Sequence, residues 1–459
     1  MSLAWPARRD LAALWRLAAP IIVIQVGMML MGVIDTLMVG RVSAEALAAV
    51  AIGNLVFFIV AIAAQGILMV LDPLVAQAVG AADVEGITLG VQRGLLLSVI
   101  LSIPLMAAML PAGPLLTLLR QPPDVIPLAA GYIVRMIPGA LPFLVFVVLR
   151  QSLQAMHHTE TIVWSIVLSN LANAALNWVL IFGHLGFPAM GVNGSAWATT
   201  ASRLLMAGLL LWLGWPYLRR YLRPMHPRSL APGPLWRMVA VGAPIGGQFF
   251  LEFGAFGMIA LLMGLLGTVQ VAGHQIAINL ASLTFMVPVG ISAAAAVLVG
   301  NAVGRGDGPG ARRATWAAIL SGGGFMVTTA ALFLGFPSFL AGLYTPDARV
   351  LSIAIGLIPI AGVFQVFDGL QAVGGGVLRG LGDTRAPMVI NVLGFWMVGM
   401  PVSVYLGFEA GLGPRGLWWG FVAGLGTVAM FLMLRIRQRL LRGIARLQVE
   451  QPEPVRLAE

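Results

Sequence analysis

Residues 248–301 read QFFLEFGAFGMIALLMGLLGTVQVAGHQIAINLASLTFMVPVGISAAAAVLVGN, and Glu252 is the only Asp, Glu, Lys or Arg among them. The hydrocarbon core of a bilayer is about 30 Å thick and needs about 20 apolar residues per helix. The stretch is therefore long enough for two crossings. Two glycines and a threonine at residues 264–268 interrupt the apolar run, which places the break between the helices there.

Glu252 is the first candidate for a functional residue, because it lies well inside the first of these two predicted helices. A carboxylate in the hydrocarbon core costs at least a few kcal/mol, so membrane proteins seldom carry one without a role. The usual role is in the path of an ion or a substrate. The alternative is a protonated, hydrogen-bonded carboxyl that only holds helices together.

The composition of the whole chain excludes a soluble protein. Its 459 residues are 59% hydrophobic and 10% charged, with a mean hydropathy of +0.94, which leaves too little polar surface for water. Lysine is absent, so all 27 basic residues are arginine, and cysteine is absent too, which excludes disulfides and thiol ligands. Residues 1–10 are polar and no small-residue cleavage site follows, so we expect no removable signal peptide.

Twelve charge-poor segments predict an all-α membrane protein with twelve transmembrane helices. The arginines alternate between the connections: 21 fall in the two tails and every second loop, Arg93, Arg150 and Arg379 among them, whereas four fall in the other loops. The positive-inside rule therefore places both termini in the cytoplasm. The segments cover residues 14–40, 46–80, 87–112, 126–149, 160–183, 191–216, 235–263, 268–303, 311–334, 349–378, 386–408 and 415–434.

The sequence repeats weakly about its longest polar loop. LWRLAAP at 14–20 recurs as LWRMVAVGAP at 235–244, and LVAQAVGAAD at 74–83 recurs as LVGNAVGRGD at 298–307. Each repeat holds an even number of helices, so a pseudo-two-fold axis along the membrane normal should relate two six-helix lobes around a central path. The alternative is a duplication without mechanistic meaning. The expected parts are an N-terminal lobe (1–216), a cytoplasmic loop (217–234), a C-terminal lobe (235–440) and a cytoplasmic tail (441–459).

The C-terminal lobe contains two acids at similar predicted depth, Glu252 in helix 7 and Asp368 in helix 10. Glu252 lies roughly four helical turns after Arg237, and Asp368 lies roughly three turns before Arg379, so the two acids can face each other. Carboxylate and amide oxygens together suit Na⁺, or a proton if one carboxylate titrates. Amides can also serve only to join helices. The supporting amides at helical spacing are Gln248, Gln275, Asn279, Gln365 and Gln371.

The N-terminal lobe offers a second polar pocket around Asp35 in helix 1. Arg203 lies near the middle of helix 6, where an unpaired guanidinium is costly, so we expect it to face the lobe interior against an acid or a set of carbonyls. Asp35 is the nearest acid by predicted depth. The asparagines of helix 5 could instead make only interhelical hydrogen bonds. The other polar residues of this pocket, on helices 5 and 6, are Asn170, Asn173, Asn177, Thr199 and Thr200.

Other polar residues are expected to be peripheral. Asp72 should lie near the cytoplasmic interface, and His157 and His158 should be solvated in a cytoplasmic loop. The chain has no G-x-x-x-x-G-K-[ST], no H-E-x-x-H and no cysteine ligand set. We therefore expect no catalysis and no cofactor, with energy supplied by a gradient of Na⁺ or H⁺.

Three segments resemble the multidrug and toxic compound extrusion (MATE) transporters, in particular their bacterial NorM-type branch. They are PIIVIQVGMMLMGVIDTLMVGRVSAEALAAVAIG at 20–53, AGHQIAINLASLTFMVPVGISAAAAVLVGNAVGRGD at 272–307 and FDGLQAVGGGVLRGLGDTRAPM at 367–388. The similarity runs over about residues 14–435. It implies a V-shaped pair of six-helix lobes that exports cationic or amphipathic compounds in exchange for Na⁺ or H⁺.

The resemblance also implies roles for individual residues. The family's acids in helices 1, 7 and 10 fall on Asp35, Glu252 and Asp368. The archaeal branch has a second acid in helix 5, where this chain has only asparagines, and this departure weakens any coupling scheme confined to the N-terminal lobe.

These observations predict a multidrug efflux antiporter of the bacterial inner membrane that works by alternating access. We expect it to be a monomer whose partners are small cationic or amphipathic drugs and membrane lipid, without nucleic acid. A lipid-linked oligosaccharide flippase of the same superfold is the nearest alternative, but only Arg135 and Arg203 could hold its diphosphate. A membrane-embedded enzyme would need a nucleophile or metal cluster, and a channel would not need the repeat with buried carboxylates.

Overall fold

The computed structural model describes residues 5–448, so Arg456 and the rest of the predicted tail from residue 449 lie outside the described residues. Within residues 5–448 there is no strand, and twelve helices are long and apolar enough to cross a membrane. They are α1 to α12, with bounds Arg8–Val39, Ala44–Gly80, Val84–Met109, Ile126–Ala155, Thr159–Phe182, Val192–Leu222, Pro232–Leu266, Thr268–Gly304, Gly308–Gly335, Ala348–Gly380, Arg385–Glu409 and Pro414–Leu441.

The twelve predicted helices are confirmed, but several are up to about two turns longer than predicted. The charge criterion ends a segment at its first arginine, whereas the helix continues. The prediction that Arg93, Arg150 and Arg379 lie in loops is wrong: each lies within a helix and is buried. A long arginine side chain can hide its stem in the helix packing while its guanidinium finds a polar partner.

The predicted break between α7 and α8 is confirmed at a single residue, Gly267. Its φ of 130° lies in a region that side chains rarely tolerate, so glycine is required for so abrupt a reversal between two long helices.

The internal repeat reappears in equivalent helix caps. Asp83 Oδ1 accepts a hydrogen bond of 2.8 Å from Gly86 N at the start of α3. Asp307 Oδ1 accepts one of the same length from Gly310 N at the start of α9. An N-cap carboxylate satisfies a backbone donor that the first helical turn leaves unpaired. The two aspartates end the matched segments LVAQAVGAAD and LVGNAVGRGD, so the repeat has a structural basis.

Helices α2 and α8 pack against each other near their C-terminal ends through repeat-equivalent residues. A Cβ atom at Gly80 would overlap the backbone of Asn301, and a Cβ atom at Gly304 would overlap the backbone of Gln77. The register that aligns LVAQAVGAAD with LVGNAVGRGD converts the first contact into the second. The contact is therefore self-complementary, as expected where a two-fold axis passes between two helices.

The same two-fold relation connects a second pair of contacts, which lie farther from the helix ends. Gly66 of α2 has no room for a Cβ atom beside Gly246 of α7, and Gly290 of α8 has none beside Ile22 of α1. The register of the repeat converts one of these contacts into the other as well. The pseudo-two-fold relation between the six-helix halves is thus present in the packing itself.

The hydrophobic core is divided roughly between the two halves. One cluster is built from α7 to α12, and two others are built mainly from α2 to α6. The first half of α1 is an exception to a simple division at the inter-lobe loop: Leu14, Leu17, Ala18 and Ile21 belong to the core of the C-terminal half. This follows from the contact of α1 with α8.

Polar contacts join the two halves at the arginine-rich ends of the helices. Gln77 Nε2 donates to Gly380 O at 2.9 Å, and Leu447 N donates to Gln77 Oε1 at 2.7 Å. Arg446 pairs with Asp83, so the segment after α12 also reaches the N-terminal half. The described structure therefore closes the space between the halves at this end.

Candidate ion and cargo sites

Glu252 is held in the middle of α7 by donors from two neighbouring helices. Its Oε2 accepts a hydrogen bond of 2.9 Å from Gln371 Nε2 of α10 and one of 3.2 Å from Asn391 Nδ2 of α11. Gln248 is buried one helical turn before it. Neutral amides orient a carboxylate but do not cancel its charge, so Glu252 remains a site for a cation or a proton.

Asp368 is the second acid of this site. Its side chain is buried, and no donor within residues 5–448 reaches its Oδ1. The charged neighbour that acts on it is Glu252, as the predicted depths require. Two carboxylates in a water-poor interior cannot both stay charged unless a cation binds; otherwise one takes up a proton. The pair Glu252 and Asp368, with Gln371 and Asn391, is called the C-site below.

The structure places three of the predicted supporting amides elsewhere. Gln365 Oε1 accepts hydrogen bonds from Thr284 and Thr329, so it joins α10 to α8 and α9. The side chains of Gln275 and Asn279 are exposed and bond to each other at 3.2 Å. Each amide is bonded, but none of the three contacts Glu252 or Asp368 through a described hydrogen bond.

Asp35 lies in a cage of hydrogen-bond donors in the N-terminal half. Its Oδ1 accepts a hydrogen bond of 2.6 Å from Asn177 Nδ2, and its Oδ2 lies 2.8 Å from the hydroxyl of Thr199. Asn177 also donates to Asn173 Oδ1 at 3.2 Å. Helices α1, α5 and α6 thus meet at one buried carboxylate, which is called the N-site with its partners.

The remaining members of the predicted N-terminal pocket join helices. Asn170 Nδ2 donates to Gly27 O of α1 at 3.0 Å. Thr200 donates to the backbone oxygen of Arg135 at 2.9 Å and so ties α6 to α4. Arg135 itself donates to Gly131 O of its own helix.

Arg203 faces the interior of the N-terminal half, as its position predicts. Its guanidinium carbon lies 3.7 Å from the centroid of the Phe57 ring and 5.7 Å from that of Phe143. The guanidinium also interacts electrostatically with Asp35, although no hydrogen bond joins the two in the described structure. Aromatic faces attract a cation, so Arg203 is held by the rings while its charge acts on Asp35.

Asp72 is not a peripheral, solvated residue, because its side chain is only 1% exposed and lies in the helix packing. Asp72 of α2 lies 3.9 Å from Arg379 Nε of α10, and Arg150 of α4 also acts on it. Arg379 in turn donates to the hydroxyl of Ser292 at 3.1 Å and interacts with Glu252. Arg379 is therefore a cation between an acid of one half and the acid pair of the other.

Asn391 is a site residue that the sequence reasoning missed. It is the only asparagine or glutamine of α11, which is otherwise mainly apolar, and an isolated amide in a transmembrane helix is a signal that could have identified it. No group of three or more His, Asp or Glu side chains among the described residues could hold a metal ion. The C-site has two carboxylates, so any Na⁺ there would need amide oxygens or water as further ligands.

Comparisons with known proteins agree with this architecture. The profile of the MatE family matches residues 20–179 and 244–405, one match in each half. Multidrug resistance protein NorM of Burkholderia vietnamiensis is 37% identical over 428 residues, which is 92% of each chain. Probable multidrug resistance protein NorM of Rhizobium meliloti (strain 1021) is 36% identical over 442 residues, 94% of this chain and 93% of the relative.

Solved structures support the same fold. The eukaryotic MATE transporter AtDTX14 superposes with a TM-score of 0.85 at 24% identity, over 95% of this chain and 98% of that one. An outward-facing multidrug resistance MATE family transporter superposes with a TM-score of 0.84 at 22% identity, over 96% of this chain and 97% of that one. The fold, the family match in both halves and the full-length relatives lead to one conclusion. The chain belongs to the MatE family, as a NorM-type MATE transporter.

Proposed function

We propose that this protein is a secondary active multidrug antiporter of the bacterial inner membrane, which exports cationic or amphipathic compounds in exchange for Na⁺ or H⁺. The observation that supports it best is the C-site, where Glu252 and Asp368 lie together with too few donors to balance two charges. Its relatives are named for multidrug resistance. The coupling ion enters the C-site, and cationic cargo competes for the same negative region.

The places where the halves are joined support alternating access. The contacts of Gln77, Gly380 and Leu447 close the arginine-rich end, and Arg379 links Asp72 to the region of Glu252. In the proposed cycle these contacts break when the path opens to the cytoplasm. Binding of one cation at the C-site reduces the negative charge near Arg379. It thereby shifts the equilibrium between the state closed at the arginine-rich end and the state open to the cytoplasm.

The energy available is sufficient for such a bias. One elementary charge moved through 100 mV contributes about 2.3 kcal/mol. That corresponds to roughly a fiftyfold change in a two-state equilibrium. A single ion per cycle is therefore enough to drive export against a moderate gradient.

Dye transport in proteoliposomes tests the proposal and identifies the ion. Purified protein is reconstituted, and accumulation of a cationic dye is followed under a Na⁺ gradient alone, under a H⁺ gradient alone and with neither. Transport driven by one gradient supports antiport. Dye movement that is equal with and without both gradients would contradict it.

The inner-membrane orientation needs its own test. The arginine-rich end is proposed to be cytoplasmic, so reporter fusions at Arg223 and after Arg442 should be cytoplasmic and one at Gly267 periplasmic. A periplasmic fusion after Arg442 would overturn the orientation and with it the direction assigned to export.

The flippase alternative finds less support in the cation positions. Arg203 lies over the Phe57 ring, Arg379 lies beside Asp72, and Arg135 bonds its own helix. Each of the three guanidinium groups therefore has a partner other than a diphosphate in the described structure. The monomeric state and the absence of a cofactor remain predictions, which mass measurement of the purified protein can check.

A further inference from the structure

A cavity of about 620 Å³ lies at the arginine-rich end of the N-terminal half, far in sequence from either acid site. It is bounded by the α2–α3 turn, by the α4–α5 turn and by the last turns of α6. Its lining includes Ala82, Met156, His158, Tyr217, Arg219 and Arg220. Neither the transport cycle nor the family match assigns anything to it.

The cavity has a positive charge that the described residues do not neutralise. Arg219 and Arg220 are exposed, and no carboxylate within residues 5–448 lies within ion-pair distance of either. Asp83, next to the lining residue Ala82, is bonded to Gly86 and paired with Arg446. Glu160 lies close to His158 in the sequence but does not line the cavity. The cavity therefore favours an anion.

Aromatic contacts hold this charged wall in place. The rings of His158 and Tyr217 stack at 3.6 Å with 19° between their planes. The Arg220 guanidinium lies 4.6 Å from the Tyr221 ring, which is buried. Burial lowers the pKa of His158, and the charge of Arg220 lowers it further. Neutral His158, which also lines the cavity, is therefore available there as a hydrogen-bond partner.

The surface beside the cavity is that of a membrane interface. Trp212 is 70% exposed and Tyr217 is 40% exposed, and exposed leucines precede them on α6 at Leu204, Leu205 and Leu211. Tryptophan and tyrosine mark the level of lipid headgroups, with arginine on their cytoplasmic side. A ligand here would meet apolar helix surface on one side and two guanidinium groups on the other.

We propose that this cavity binds the phosphate headgroup of an anionic phospholipid. The phosphodiester lies against Arg219 and Arg220, and the acyl chains lie along the exposed leucines of α6. Free phosphate shares the charge but makes no use of the apolar surface. Basic pockets between transmembrane helices are suited to such headgroups because each arginine near the surface contributes favourably to the binding of an anion.

Native mass spectrometry of the full chain in neutral detergent tests the proposal. Phosphatidylglycerol, phosphatidylcholine and inorganic phosphate are titrated separately, and bound adducts are counted. The test variant is the double substitution Arg219→Gln with Arg220→Gln. The matched control is Arg437→Gln with Arg442→Gln, which removes the same charge from exposed positions of α12 and its C-cap. Size-exclusion profiles and melting curves check that both variants are folded.

The lipid proposal predicts phosphatidylglycerol adducts on the wild-type protein, few phosphatidylcholine adducts, and about thirtyfold weaker phosphatidylglycerol binding in the test variant. The control should lie within about threefold of the wild type. Equal losses in both variants would overturn the site, because the attraction would then be general. Inorganic phosphate that displaces the lipid at equal concentration would retain an anion site and overturn the lipid as its occupant.

Discussion

The two acid sites differ in how the negative charge of their buried carboxylates is balanced. In the N-site, one carboxylate receives Asn177 and Thr199, and Arg203 supplies a permanent positive charge nearby. In the C-site, Gln371 and Asn391 both donate to Glu252 Oε2, and Asp368 Oδ1 has no donor among the described residues. The halves are related by a pseudo-two-fold, so this difference arose within one architecture.

This difference between the two sites indicates where a mobile cation is needed. A carboxylate beside a fixed arginine is nearly balanced without any bound ion. The C-site has two carboxylates and one nearby arginine, Arg379, which also lies beside Asp72. Its negative charge is therefore not balanced unless a cation or a proton binds. We therefore expect the coupling ion to bind mainly at the C-site, and the N-site to act on cargo or on the opening of the N-terminal half.

The largest effect is expected from neutralising the C-site. Glu252→Gln and Asp368→Asn should each abolish ion-driven dye transport and remove ion-dependent thermal stabilisation, because either change leaves a single carboxylate. An ion at about a hundredfold above its Kd stabilises the wild type by about 2.7 kcal/mol, which a melting curve detects. The double variant should lose no more than either single one.

Glu160→Gln is the control for this pair, because it makes the same chemical change at an exposed position of α5. It should retain both transport and the ion-dependent shift. A full shift in either Glu252→Gln or Asp368→Asn would show that the two residues do not share one ion.

Neutralising the N-site should come next. Asp35→Asn preserves shape but presents an amide NH₂ to a cage whose members donate hydrogen bonds, which costs about 1–3 kcal/mol. We expect normal membrane insertion and efflux reduced about tenfold or more, measured as dye export from cells with matched protein levels. Thr199→Val removes one donor and keeps the charge, so it should reduce efflux less. If the Asp35→Asn variant exports dye as fast as the wild type, Asp35 has only a structural role.

Substitution of Arg203 tests directly whether its positive charge causes the difference between the N-site and the C-site. Arg203→Ala removes the fixed cation and makes the N-site resemble the C-site. In the background of Glu252→Gln, this change should create a new ion-dependent thermal shift, smaller than that of the wild type. It should also lower stability through lost contact with Phe57, by about 0.5–2 kcal/mol. Arg135→Ala is the control, since the described hydrogen bond of the Arg135 side chain is to its own helix. Unchanged expression, stability and transport in Arg203→Ala would contradict the pairing with Asp35.

The smallest effect is expected where the segment after α12 meets the N-terminal half. The side chains of Arg446 and Asp83 are 36% and 34% exposed, and such a pair is worth at most about 1 kcal/mol. Arg446→Gln should therefore lower the melting temperature only slightly, and added salt should mask the difference. A large loss of transport without a change in melting would assign this contact a role beyond stability.

Much of the candidate site was accessible before the structure. Glu252, Asp368 and Asp35 stand out because a charge in an apolar run is costly wherever the helix packs. Their supporting residues were only partly predicted: Gln371 and Asn177 reach the acids, whereas Gln275 and Asn279 bond each other in an exposed position. Spacing along one helix tells which residues share a face, but not which face turns toward an acid on another helix.

The number of crossings, a break within residues 264–268 and the duplication could all be predicted from the sequence, because hydropathy and glycine conformation act over one helix or one turn. The packing of the helices, in contrast, sets three contacts: Asn391 donates to Glu252, Arg203 lies over the Phe57 ring, and Asp72 is buried beside Arg379. Each of these contacts joins residues that lie far apart in the sequence. They depend on the rotation and close approach of whole helices, which small residues such as Gly80 and Gly304 allow and which no local pattern encodes.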